Sequence, residues 1–139
     1  MIRNIIAIIA AIVTGGVVVF LMDVLGHSIY PAPTGLDPAR PETISEFLKS
    51  APIGALVFIA LAQAAGAFSG GFIAWIISKK QRVALIYGVI ALAFGVMNLL
   101  VVPHPVWLAA ILILLPIPSA LFGSKSAGLF FGAGGEPEI

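Results

Sequence analysis

Four long stretches of the chain carry no charged residue, and they restrict its fold more than any other feature. They run from Ile5 to Met22, Ala51 to Ser78, Val83 to Val102 and Val106 to Gly123. An α-helix needs roughly 20 apolar residues to cross ~30 Å of hydrocarbon, and each stretch reaches or approaches that length. Transmembrane strands would need only ~9–11 residues each, with apolar and polar positions alternating; no alternation is visible. The chain is 60% hydrophobic and 9% charged, whereas a soluble domain carries about 25% charged and about 45–50% apolar residues. So few charges cannot cover a water-facing surface. The expectation is an all-α integral membrane protein, a four-transmembrane-helix bundle of two helical hairpins. Its spans fall near 4–27, 51–78, 82–102 and 105–123, in one domain over 1–126. A flexible, glycine-rich tail is expected over 127–139, made acidic by Glu136 and Glu138.

The first stretch invites comparison with a signal peptide, since Arg3 precedes it. Its apolar run exceeds the usual ~7–15 residues, and no small-residue cleavage site follows before Asp23. Helix 1 is therefore expected to be retained. The net charge of +1 rests on seven scattered basic residues, too few for a phosphate-tracking patch, so no nucleic-acid partner is expected. With no cysteine in the chain, disulfides, thiolate metal sites and cysteine nucleophiles are excluded.

Basic residues orient the bundle. With four spans, Arg3, Lys79, Lys80, Arg82 and Lys125 fall on one side, and Arg40 and Lys49 on the other. The positive-inside bias places both termini and the second loop in the cytoplasm. Trp75 and Trp107 suit the two interfacial belts. The loop from Tyr30 to Ser50 then lies outside. Its Pro31-Ala32-Pro33 run cannot continue a helix, whereas Pro41 and the capping-box form Thr43-Ile44-Ser45-Glu46 start one. Ile44, Phe47 and Leu48 give it an apolar face, so a short interfacial helix acting as a lid is expected, with Pro52 starting the next span.

Polar residues inside the spans are the candidate site. Asp23 is the one carboxylate set in an apolar stretch, and Asp23, His27 and Tyr30 share a helical stripe. An ionisable residue in such a span is a functional-site hypothesis by default. Gln63 lies near mid-span in the second stretch, on the face of Gly70 and Ala74. Asn98 and His104 lie near the outer end of the third, and Tyr87 shares the stripe of Asn98. Ala62, Gly66, Gly70 and Ala74 recur every four residues, with Ala67 and Gly71 beside them; this spacing lets helix backbones approach closely, either within the chain or across a homodimer seam. Pro116 and Pro118 should kink the last span. Met22-Asp23-Val24-Leu25 resembles Met97-Asn98-Leu99-Leu100, which would place Asp23 opposite Asn98 if the hairpins repeat about an axis along the membrane normal.

The runs LGHSIYPAPTGLDP, PIGALVFIALAQAAGAFSGGFIA and NLLVVPHPVW resemble a widespread group of small bacterial inner-membrane proteins with four predicted spans. The resemblance covers most of 15–123 and implies the architecture and a multi-pass inner-membrane location. It brings no activity with it.

Three functional readings follow. In the first, this is a structural or accessory membrane protein with no cofactor, whose polar cluster organises the outer end and whose partner is the lipid bilayer or an unidentified membrane protein. The second is a small-solute or cation carrier or channel that lines its path with Asp23, Gln63 and Asn98. Four helices leave little room for a conducting path, so it would act as a homodimer or larger homo-oligomer. The third is an open divalent-metal site of Asp23, His27 and His104, with Asp23 and His27 at i and i+4. No Ser/His/Asp arrangement, HExxH or phosphate-cradling glycine loop is present, and Gly70-Gly71 lies inside a span as packing, so no enzyme is expected.

Overall fold

Helix boundaries in this chain follow its prolines, its caps and the ends of its apolar runs. The structure is a computed structural model that describes residues 1–37 and 39–132. The described residues form α1 (Ile2–Ile29), α2 (Pro41–Ser50), α3 (Ile53–Ser78), α4 (Gln81–Val101), α5 (Val106–Leu114) and α6 (Pro116–Phe131). α5 and α6 together make one span, Val106–Phe131, so four helices are long and apolar enough to cross a membrane. The protein is an all-α, multi-pass membrane bundle with one short additional helix, as its hydropathy requires.

Proline interrupts the fourth span without ending it. Leu115 keeps helical torsions (φ −75, ψ −37), and its N–H still bonds the Ile111 carbonyl at 2.9 Å. Pro116 has no N–H to offer the Leu112 carbonyl. That carbonyl faces Gly95 of α4, where an added Cβ would lie 3.7 Å from it. The span also continues past Gly123 to Phe131, because Gly128 sits against the Trp75 ring of α3 and the Phe131 ring lies 6.0 Å from that of Phe72. Residues 127–131 are therefore helix rather than tail. The rest of the expected tail, from 133 on, lies outside the described residues.

α3 is the element the others pack against: α1, α4 and α6 all touch it. The contacts are made at glycine. An added Cβ on Gly66 would run into Val19 and the Gly15 carbonyl of α1, and on Gly70 into the Tyr87 ring of α4. On Gly71 it would overlap the Ala120 backbone of α6, and on Gly123 that of Phe68. With no hydrophobic drive between helices in lipid, such close approach supplies the van der Waals contact that holds them together. Ala62, Gly66, Gly70 and Ala74 are all buried inside this one chain. They are thus unavailable as a seam for a second copy, which corrects the homodimer alternative for this stripe. The hairpins are not equivalent either: α4 reaches α3 as well as α6, whereas α1 makes no comparable contact with α6.

The two ends are closed differently. At the Lys79 end the Arg3 guanidinium donates to the Ser78 carbonyl at 2.9 Å, tying the start of α1 to the last turn of α3, where a cation is favoured. Lys79 takes the left-handed conformation (φ 59), and its ammonium lies 4.4 Å from the centroid of the Trp75 ring. At the His27 end α2 starts at Pro41, earlier than a cap at Thr43 would place it. The Thr43 hydroxyl instead donates within the first turn, to the Arg40 carbonyl at 2.8 Å. Ile44 and Leu48 turn onto a cluster of Leu56, Ala60, Val102, Leu108 and Leu112, so α2 covers the ends of α3, α4 and α5.

Gly71→Val should lower unfolding stability by about 1–3 kcal/mol, because the obstructing atoms belong to the α6 backbone and cannot rotate away. Thermal unfolding in detergent checks this; a midpoint equal to that of the parent protein would contradict the close α3–α6 crossing.

Candidate functional site

α1 and α4 meet near the Lys79 end and diverge towards the His27 end. Where they meet, Ala7 and Ala11 pack with Val83, Ala84 and Tyr87. Past Tyr87 they leave a lateral groove of about 330 Å³, with α3 as its floor. Ile12, Gly15, Gly16, Val19, Phe20 and Asp23 form the α1 wall, Tyr87, Ile90, Ala91 and Phe94 the α4 wall, and Gln63, Gly66 and Ala67 the floor. Ligand sites are typically clefts of ~300–1,000 Å³, mostly apolar with a few placed polar groups. This groove has that make-up and stands at the small end of the range.

Tyr87 shapes the closed end. Its ring lies across Gly70, and its hydroxyl donates to the Gly66 carbonyl at 3.1 Å. That satisfies the only polar atom of a buried side chain and pins α4 to α3. Gly15 faces this hydroxyl, so an added Cβ there would collide with it, whereas a Cβ on Gly16 would meet open groove. The two adjacent glycines thus differ in role, one for packing and one for space.

Asp23 is the hinge between two spaces. It lines the groove and also a smaller cavity of about 60 Å³ at the His27 end, shared with Gly26, His27, Tyr30, Phe47, Ala55, Phe58 and Ile59. The stripe of Asp23, His27 and Tyr30 therefore exists and converges on one cavity beneath α2. Tyr30 packs its hydroxyl end over Gly54, and Phe58 packs over Gly26. The His27 Nδ1 lies 2.8 Å from the backbone carbonyl of Asp23. Because a carbonyl only accepts, this nitrogen is the donor, and in the neutral ring Nε2 is left as an acceptor. Interior side-chain hydrogen bonds engage Ser69, Ser78, Tyr87 and Ser124. Among the described residues none engages the Asp23 carboxylate or the Gln63 amide, and both line the groove.

The other expected members do not join them. Asn98 is exposed and lines neither cavity. It continues the stripe of Tyr87, Ala91 and Phe94, but one turn past the last groove residue, where α1 and α4 have separated. His104 sits in the α4–α5 turn, with Nδ1 held 2.6 Å from the Val102 carbonyl. Among the described residues no three His, Asp or Glu side chains are grouped to hold a metal, so Asp23, His27 and His104 form no trio. The turn geometry that fixes His104 to its own backbone is not readable from spacing.

Sequence reasoning passed over Phe20, Phe94 and the Gly15–Gly16 pair. The signal for the aromatics was there, since Phe94 shares the stripe of Tyr87 and Asn98, and Phe20 stands three residues before Asp23. Tyr87→Phe should lower stability by about 0.5–2 kcal/mol through loss of a membrane-embedded hydrogen bond. Asn98→Leu should leave it unchanged in the same unfolding measurement; a larger loss from Asn98→Leu would contradict its exposed position. No protein-family model, curated protein or solved structure matches this chain.

Proposed function

We propose that this protein is a membrane-embedded binding protein, acting as a small-solute carrier, whose site is the groove between α1 and α4. The observation that carries this reading is the pairing of an apolar, laterally open cleft with two uncommitted polar side chains in its lining, Asp23 on the α1 wall and Gln63 on the floor. Asp23 is exposed and stands six residues before the end of α1 at Ile29, so its carboxylate is accessible to a ligand, and one that engages it gains a charge-assisted contact. Asn98 and His104 have no part in this reading, and the Ala62–Ala74 stripe does not supply a homo-oligomer seam for it. A structural role remains the second reading, favoured by the backbone hydrogen bonds that already engage His27 and His104.

The basic residues support a bacterial inner-membrane orientation with both termini cytoplasmic and α2 outside. Because the natural chain has no cysteine, single substitutions report this directly. Ser50→Cys should react with a membrane-impermeant maleimide on intact cells and Gln81→Cys only after lysis. The reverse pattern would overturn the orientation.

Gly16→Leu separates binding from structure. The added side chain enters open groove, and replacing glycine in a helix interior favours the helix by roughly 0.5–1 kcal/mol. Its unfolding midpoint should equal or exceed that of the parent protein, while a small-molecule adduct retained in native mass spectrometry should disappear from Gly16→Leu and Asp23→Asn. Identical adduct patterns in all three proteins would leave the structural reading in its place.

A further inference from the structure

The groove's chemistry is selective. Of the residues that line it, Asp23 is the only one with a charged side chain, and no lysine or arginine is among them. An anionic group there would face the Asp23 carboxylate with no lysine or arginine on the groove to offset the repulsion, His27 lying in the adjoining cavity. Gln63 on the groove floor adds an amide oxygen as a further acceptor. Charge complementarity therefore points to a cation.

The cation is organic rather than a metal ion. Hard cations are held by several oxygen ligands at once, and this groove presents one carboxylate and one amide. It presents aromatic surface instead. Phe20 on α1 and Phe94 on α4 line its opposite walls and are 64% and 60% exposed, so each wall carries accessible aromatic surface. An alkylated ammonium is attracted to such rings, by ~0.5–1 kcal/mol at exposed sites and about 2 or more when desolvated.

The remaining surface is apolar and elongated. Ile12 and Asp23 bracket the α1 wall eleven residues apart, which at 1.5 Å per residue is about 17 Å. The groove opens sideways, where the exposed apolar flanks of α1 and α4 meet lipid. We propose, resting on the groove being a binding site, that its ligand class is a cationic amphiphile. Its ammonium head sits at Asp23 between Phe20 and Phe94, and its single apolar chain runs along Gly16 and Ala91 towards Tyr87. The small cavity beneath α2, which shares Asp23 with His27 and Tyr30, gives the head a second approach from the His27 end of the bundle.

The test is photo-crosslinking of the full chain in zwitterionic lipid nanodiscs. The two probes are a diazirine-bearing decyltrimethylammonium and a neutral twin of equal chain length ending in a hydroxyl. The cationic probe should label peptides of α1 and α4 that face the groove, and excess unlabelled decyltrimethylammonium, but not decanol, should chase it. Asp23→Asn should reduce this labelling by about tenfold, as loss of a charged partner worth ~1.4 kcal/mol does, without altering labelling by the neutral twin. Gly16→Leu should remove labelling by both probes. If the neutral twin labels the groove as strongly and Asp23→Asn changes neither probe, the cationic assignment is overturned while the groove stands as a site. If neither probe labels the groove, or Gly16→Leu removes nothing, the binding reading falls with it. The chase in the unmutated chain decides the matter even where Asp23→Asn fails to fold.

Discussion

Everything in this bundle depends on how closely α3 is approached by its neighbours. At Gly66, Gly70, Gly71 and Gly123 the contact is with neighbouring backbone, with Val19 or with the Tyr87 ring, and one methyl group at any of them would collide. Lipid tails are as apolar as leucine, so burying leucines against each other yields little inside a membrane. Fit between surfaces has to supply the association energy. A residue with no side chain allows the most contact per turn, and that is why so many of the buried positions in α3 are glycine or alanine.

The candidate site is a consequence of that packing rather than a separate invention. Holding α1 and α4 tightly on α3 near the Lys79 end, through Ala7, Ala11, Ala84 and Tyr87, forces them to diverge further along. Beyond Tyr87 a wedge lies between them. Gly16 leaves it empty, and Asp23 and Gln63 line what remains. Arg3 on the Ser78 carbonyl ties α1 to α3 at one end, and α2 on the α3–α5 cluster caps the other.

Much of the site was visible before any geometry. Asp23, His27 and Tyr30 do share a stripe and a cavity, because helical spacing is a strictly local property. Counting residues puts Gln63 near mid-span, and in the fold it stands on the groove floor. The pairing of Asp23 with Asn98 and the trio with His104 went beyond local spacing. They assumed that residues at equal depth face one another, which depends on how each helix is rotated about its axis. The small-residue stripe was ambiguous for the same reason: its spacing says that something comes close, and only burial identifies α1, α4 and α6 of the same chain as the partners.

What the amino-acid order alone determined was the solvent and the elements. Four uncharged apolar stretches in a chain with 9% charged residues have no stable arrangement except helices in a bilayer, since every backbone N–H and carbonyl there must be satisfied within its own segment. Tertiary structure decided the rotation of each helix, and with it which polar side chains meet. Rotation is set by contacts between residues far apart in the chain, such as Gly66 with Gly15 and Gly71 with Ala120. No hydropathy pattern records those contacts, because glycine and alanine look alike on a lipid face and in a helix crossing.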